Sequence, residues 1–239
     1  MNSGLIVDLE TTGVDPLNDK IIEVGLLEFT VTADGTAKIT RMFSYLEDPE
    51  EPLSEDIKKI TGLDDELLAG QKTDWQQVRN LMQEAAIVIA HNAPFDRSFI
   101  EQRSELNDLN LHWGCSVKHI NWQRHGYKTR ALNYLAADNG FVNPFAHRAL
   151  FDCATTFRLI APHLQELISR STLKEYLVSA VGAPFAVKDQ LKARQYRWNG
   201  EQRVWAKTIF EDEIEEERAF LREEIYQGQS GQHQEEVIS

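Results

Sequence analysis

Apolar and polar positions change their spacing from stretch to stretch along the chain, and each change marks an element. "GLIVDLETTG", residues 4–13, reads as a short buried strand over Leu5–Glu10 that Gly13 breaks. "KIIEVGLLEFTVT" and "AKITRMFSYL" follow as two longer strands on either side of "ADGT", and three consecutive strands predict an antiparallel meander. From Ser54 the spacing turns helical. "SEDIKKITG" has Ser54 as its cap, and "TDWQQVRNLMQEA", capped by Thr73 or Asp74, puts Trp75, Val78, Leu81 and Met82 on one stripe. "AIVIA" then returns the chain to the sheet. Pro94 suits the first turn of a helix running through Phe99 and Ile100, and further helices are predicted over Ala131–Asp138, Ala149–Ile168 and Leu173–Val181.

This order of elements is α/β with a mixed sheet. A chain of 239 residues holds one generous domain, or one domain and a small appendage, and 42% hydrophobic residues suffice for a core. The one shift in composition comes after residue 170, which divides the chain into 1–170 and an accessory segment, 171–239. From Ser171 to Lys207 seven Lys/Arg stand against three Asp/Glu, a balance of +4; from Thr208 to Ser239 two stand against ten, a balance of −8. Within the accessory segment, Asn199-Gly200 between aromatic residues predicts a basic hairpin carrying Trp198 and Trp205. "DEIEEERAFLREEIY" predicts an acidic helix, and "GQSGQHQEEVIS", without apolar periodicity, is expected to be disordered.

Neither a basic-plus-apolar leader nor an apolar run near the roughly 18 residues of a membrane span is legible, so the expectation is a cytoplasmic protein with no membrane partner. Cys115 and Cys153 form no metal knuckle and read as two reduced, buried thiols. A net charge of −13 argues against global attraction to nucleic acid but leaves room for a local basic groove. One candidate runs from Leu109 to Ala137, which has no acidic residue and interleaves Lys118, Arg124, Lys128 and Arg130 with Trp122, His125 and Tyr127. Two readings stay open for it: a track for a nucleic-acid strand, or a solvated basic surface whose aromatics face the core.

Candidate chemistry lies where apolar strands stop. Asp8 and Glu10, two apart on a strand, project from one face roughly 7 Å apart, and on so apolar a strand they must be protonated, exposed or neutralised by cations. A divalent ion would resolve the conflict, and hard oxygen ligands suit Mg²⁺ or Mn²⁺. Asp96 falls in the first turn of a helix just past the second buried strand, where it is either a helix-terminus charge or a third site carboxylate. In "HRALFD", His147 and Asp152 are five apart and cannot share a helical face, so His147 belongs to the entering loop and Asp152 to an early turn.

"DLETTG", "HNAPFD" and "HRALFD" occur in this order, each joined to a strand end or helix start. The combination resembles the DEDDh exonucleases, the ribonuclease H-like 3′→5′ exonuclease family that includes the proofreading epsilon subunit of the bacterial replicative polymerase. It covers about residues 4–168 and fills all five motif positions: Asp8, Glu10, Asp96, His147 and Asp152. The resemblance implies a mixed five-stranded sheet flanked by helices, here with a small C-terminal hairpin-plus-helix extension. It implies that Asp8, Glu10, Asp96 and Asp152 hold two divalent ions, Mg²⁺ or Mn²⁺, and that His147 is the general base. Thr11, Thr12, Asn92 and Phe95 match positions that grip the 3′-terminal nucleotide, and "ITG" at Ile60–Gly62 matches a further contacting loop; Phe95 also reads as core packing.

The implied activity is removal of nucleoside 5′-monophosphates from a free 3′ end, single-stranded or frayed, in DNA repair or proofreading. Thr11 stands where oligoribonucleases characteristically have methionine, which tilts the substrate to DNA. Residues 171–239 depart from the flexible linker and short polymerase-binding tail of a proofreading subunit, and no clear clamp-binding pentapeptide is legible. Both absences favour a free-standing exonuclease, or a partner-dependent one with its own recognition module, over a replicase subunit; a DNA polymerase or repair protein is the expected kind of partner. The alternatives are an exoribonuclease trimming RNA 3′ ends and a non-catalytic nucleic-acid-binding module; the intact five-residue set argues against the second.

Overall fold

A strand covered by helices on both faces has to be apolar at nearly every position, and the first strand is. In the computed structural model, which describes residues 3–228 and 233–238, Leu5, Val7 and Leu9 enter one core cluster and Ile6 another on the opposite face. The chain divides into two compact units, Met1–Ser171 and Thr172–Ser239.

The first unit runs in order β1 (Ser3–Thr11), β2 (Ile21–Val31), β3 (Ala37–Leu46), α1 (Glu55–Thr61), α2 (Asp65–Leu68), α3 (Trp75–Glu84), β4 (Val88–Ala90) and α4 (Ala93–Gln102). It continues through β5 (Trp113–Cys115), α5 (Ser116–His119), α6 (Leu132–Asp138), α7 (Ala149–Ile160) and α8 (Leu164–Arg170). The sheet order is β3-β2-β1-β4-β5: the first three strands form an antiparallel meander, β4 lies parallel to β1, and β5 lies parallel to β4. The sheet is therefore mixed and five-stranded. The apolar stripe of α3 packs with Phe99 and Ile100 of α4 on the face of Leu5, Val7 and Leu9. Leu135 of α6, Leu159 and Ile160 of α7 and Leu164 and Leu167 of α8 cover the face of Ile6.

Gly25 on β2 holds α7 close to the sheet. A Cβ at this position would lie 2.4 Å from the carbonyl carbon of Ala149 and 2.5 Å from the nitrogen of Leu150, so only glycine lets the helix start so near the strand. Gly25 pairs with Asp8 in the β1–β2 register. The approach that removes a side chain from residue 25 therefore brings the start of α7 over Asp8. Cys115 and Cys153 are buried and free, with the Cys153 thiol directed at the Gly25 and Ile6 carbonyls.

The helix expected over Ala149–Ile168 is broken. Pro162 cannot donate its share of the ladder, and a tight turn at Ala161–His163 separates α7 from α8. The second unit differs more. The segment expected to be a helix over Leu173–Val181 is strand β6 (Glu175–Ala180), followed by α9 (Lys188–Ala193), β7 (Arg197–Asn199), β8 (Val204–Phe210), α10 (Ile214–Phe220) and β9 (His233–Val237). Its sheet order is β7-β8-β6-β9, antiparallel throughout. The expected disorder of the last residues is corrected at 233–237, where β9 pairs along β6 through its backbone; residues 229–232 and 239 lie outside the described residues. Asn199 opens a four-residue hairpin loop, and its side-chain oxygen accepts the amides of Glu201 and Gln202. Among the described residues, no helix is long and apolar enough to cross a membrane.

Candidate active site

Asp8 and Glu10 project from the α7 face at the C-terminal end of β1, opposite Gly25 and Glu23, and a bulge follows at Glu10/Thr11. β4 pairs with β1 only at Leu5 and Ile6. Past that pairing the Leu9 amide turns to a side chain, donating to Asp96 Oδ1 at 3.1 Å. Asp96 reaches this point from the first turn of α4, which starts behind Asn92 in a left-handed conformation (φ 77°) and has Pro94 in its first turn. The second buried strand thus ends where its helix can hand a carboxylate to the end of the first.

Asp152 arrives from the first turn of α7. Its Oδ2 accepts the His147 amide at 2.8 Å and its Oδ1 accepts Asn143 Nδ2 at 2.7 Å. His147 has φ 62°, a conformation uncommon outside glycine, and its side chain is exposed. One ligand atom each from Glu10, His147 and Asp152 lies within 4.8 Å of the others.

Burial dominates the electrostatics. It raises the Asp8 carboxyl well above the usual range, with further pushes from Asp96, Asp152, Glu10 and Glu23. Burial likewise pushes Asp96 to about 8, and lifts Glu10 to about 8 together with the charges of Asp152, Glu23 and Asp96. Asp152 is raised by burial although the His147 amide and Asn143 pull it back. Carboxylates forced together out of water either keep protons or wait for a cation. The donor set, four carboxylates and one imidazole, fits a hard divalent ion such as Mg²⁺ or Mn²⁺, and such an ion would reverse the sense of every one of these shifts.

Glu23 is the carboxylate that sequence reasoning passed over. Almost fully buried, it accepts Arg148 Nε at 3.0 Å, the Ala149 amide at 3.2 Å and Ser44 Oγ at 3.1 Å, and so ties β2 to the start of α7. A lone acid inside the apolar run "KIIEVGLLEF" was the available signal. Asn143 and Gly25 were also passed over, as was the exposed pair Phe145 and Phe151, whose rings sit 4.6 Å apart and which neighbour His147 and Asp152 in the chain.

The residues expected to grip a nucleotide are less uniform. Thr11 is buried and donates to the Gly13 carbonyl; Thr12 Oγ1 accepts the Lys20 amide at 2.9 Å, so both hydroxyls brace the turn after β1. Asn92 is exposed at the start of α4, and Phe95 is half-buried against Phe99. In "ITG", Thr61 is buried while Ile60 is half-exposed before the left-handed Gly62. His91 is a tether: its ring nitrogens meet Ser116 Oγ and the Arg130 carbonyl, and burial pushes its pKa down to about 4. In the basic stretch, Trp122 is buried with its indole N–H on the Ser116 carbonyl and Tyr127 edge-on to it, so these aromatics serve the core.

A family model described as "Exonuclease" matches residues 5–160. The chain is 29% identical over 168 residues to a PolC-type DNA polymerase III of Caldanaerobacter subterraneus and 30% identical over 172 residues to that of Staphylococcus saprophyticus, each match covering 68% of this chain. It spans only 12% and 11% of the length of these two proteins. Among solved structures, it superposes on exonuclease X in complex with 5′-overhanging duplex DNA with a TM-score of 0.50 at 23% identity, over 68% of this chain and 91% of that one. It superposes on a 3′-exonuclease that recognises the histone mRNA stem-loop with a TM-score of 0.55 at 17% identity, over 69% and 82%.

Proposed function

The chain belongs to the exonuclease family, and from that premise we propose that it removes nucleotides one at a time from the 3′ end of DNA as a metal-dependent phosphodiesterase. The observation that carries this reading is the convergence of Asp8, Glu10, Asp96 and Asp152, buried or half-buried, on the end of one strand with their pKa values raised. These four would hold two divalent ions, Mg²⁺ or Mn²⁺, which when bound stabilise the attacking and leaving oxygens of an in-line displacement.

His147 accepts the proton of the attacking water. Its ring is exposed, while its backbone amide is fixed on Asp152, so the base is positioned and open to solvent. The phosphodiester bond breaks on the side of the penultimate 3′ oxygen, releasing a nucleoside 5′-monophosphate and leaving a new 3′-hydroxyl. Glu23 and Arg148 position the start of α7, and through it Asp152. Asn92, Phe95 and the turn braced by Thr11 and Thr12 would grip the terminal nucleotide, and Phe145 with Phe151 would offer exposed ring faces to a base.

The PolC-type relatives favour DNA as substrate and a polymerase or repair complex as setting. The test is cleavage of 5′-labelled single-stranded DNA and of its RNA counterpart with Mg²⁺, Mn²⁺ or EDTA, beside Asp8→Asn. A metal-dependent ladder from the 3′ end, stronger on DNA and absent in the variant, is expected. A stronger ladder on RNA would reassign the substrate, and no ladder on either would overturn the reading.

A further inference from the structure

A second cluster of metal-ligand type lies at the opposite end of α7 from Asp152. His125 comes from the basic loop 121–130, His163 closes the tight turn after α7, and Glu166 stands in the first turn of α8. One ligand atom from each lies within 4.8 Å of the other two. Asp152 and His163 are eleven positions apart along α7 and its continuation, about 16 Å at helical rise, so this is separate from the carboxylate site.

The three side chains are held as ligands are held. Glu166 Oε1 accepts the Asn121 amide at 2.8 Å and has Arg170 Nη1 at 3.8 Å, which leaves Oε2 directed at His125 Nε2, 2.7 Å away. The two imidazoles have centroids 4.1 Å apart and are tilted by 46°, and the buried indole of Trp122 packs edge-on against His163 at 5.4 Å. Hydrogen bonds that fix the unused atom of a ligand and apolar walls that fix a ring are the usual outer shell of a metal site. Glu166 Oε2 is taken by His125. Among the described residues, the ring nitrogens of His163 make no hydrogen bond.

We propose that His125, His163 and Glu166 form a second metal site, selective for a borderline divalent ion of the Zn²⁺ type, that clips the basic loop to the α7–α8 junction. Two imidazoles and one carboxylate with a further position open to solvent is a ligand set that Zn²⁺ accepts and Mg²⁺ does not favour. The carboxylate site has the reverse preference, so the two sites separate by metal as well as by place. The clipped loop carries Arg124, Lys128 and Arg130, and the ion holds these charges in a fixed array.

The inference does not rest on the exonuclease reading, and its test reads metal directly. The full chain is titrated with Zn²⁺ in excess Mg²⁺, and with Co²⁺ while its visible absorption is followed, for the parent, His125→Gln, His163→Gln and Asp8→Asn. One equivalent of Zn²⁺ should persist in Asp8→Asn and weaken at least about tenfold in either histidine variant. The intense visible bands of low-coordinate Co²⁺ should follow the same pattern, and Zn²⁺ should raise the melting temperature of the parent but not of His125→Gln. His125 is a surface residue, so its variant folds and keeps the comparison sound. No uptake by the parent in excess Mg²⁺, or undiminished uptake in both histidine variants, would overturn the proposal.

Discussion

Glu217 in the second unit and Asp96 in the first are each only 2% exposed, and their surroundings are opposites. Lys207 Nζ lies 3.0 Å and Arg194 Nε 3.2 Å from Glu217 Oε2, so the charge is answered by side chains of its own unit. Asp96 receives a backbone amide but stands among Asp8, Glu10 and Asp152, each of which it pushes or which burial already raises. A buried carboxylate that the fold neutralises is architecture; several that the fold leaves to one another are a demand for an external cation. Glu23 marks the boundary between the two kinds. It lies opposite Glu10 in the sheet register, yet Arg148 answers it, so it belongs with Glu217 in kind and with the site in place.

The largest effects should fall on turnover in the unanswered group. Asp8→Asn and Asp152→Asn each remove a proposed metal ligand, and loss of several kcal/mol of transition-state stabilisation predicts turnover down by roughly 10³-fold or more, read from the oligonucleotide ladder. Next comes His147→Ala, expected to cost about 10² to 10⁴-fold in turnover while Mn²⁺ affinity stays within a few-fold of the parent. Near-parental turnover in that variant would remove His147 from the mechanism and leave the carboxylates alone.

Opposite surroundings also predict opposite signs in stability. Glu217→Gln removes the countercharge that Lys207 and Arg194 share, and because Arg194 keeps Glu216 and both cations keep partial solvent access the expected loss is about 2 to 3 kcal/mol, below the full cost of breaking a buried pair. Asp96→Asn keeps an oxygen for the Leu9 amide and removes a carboxyl that must take up a proton to be buried among other carboxyls, so the metal-free protein should gain stability near neutral pH. Urea unfolding in EDTA measures both, and a loss in Asp96→Asn would break the comparison.

The same contrast appears as a pH dependence. Glu10 and Asp96 have folded pKa values of about 8, above those of the unfolded chain, so the native state holds protons that the unfolded state has released. Stability of the metal-free protein is then full below the ordinary carboxylate range and falls as pH climbs from there through about 8, by up to about 1.4 kcal/mol per pH unit for each such group. Thermal unfolding in EDTA across that range checks the sign. Mg²⁺ should stabilise most at the alkaline end, where its proposed ligands are already deprotonated.

What could be read from sequence follows the same division. Asp8, Glu10 and Asp96 drew attention because each interrupts or abuts an apolar run, and Asp152 joined them because "DLETTG", "HNAPFD" and "HRALFD" together match the strings of a known family. Glu23 was hidden because its partner, Arg148, is 125 positions away, and strand β5 because three residues, Trp113–Cys115, carry no period. The β6 segment has spacing compatible with either element, and pairing with β8 and β9 decided it as a strand. β9 needs no apolar pattern, since its contribution is backbone hydrogen bonding at a sheet edge.

The smallest predicted effect concerns exposed aromatics, where the two units again invite comparison. Phe145 and Phe151, 55% and 44% exposed, touch at 4.6 Å and neighbour His147 and Asp152 in the chain, while Trp198, 53% exposed, rests on Trp205 at 5.6 Å in the second unit. Exposure alone does not separate these pairs; what they adjoin does. A base stacked on Phe151 would contribute about 1 kcal/mol, at the low end for stacking because the pair already satisfies part of its own surface. Phe151→Ala should therefore raise KM for single-stranded DNA about fivefold with kcat little changed, and Trp198→Ala should leave both where they were. An equal rise in KM for Trp198→Ala would mean that the second unit also grips the substrate, and that its answered charges frame a binding surface rather than architecture alone.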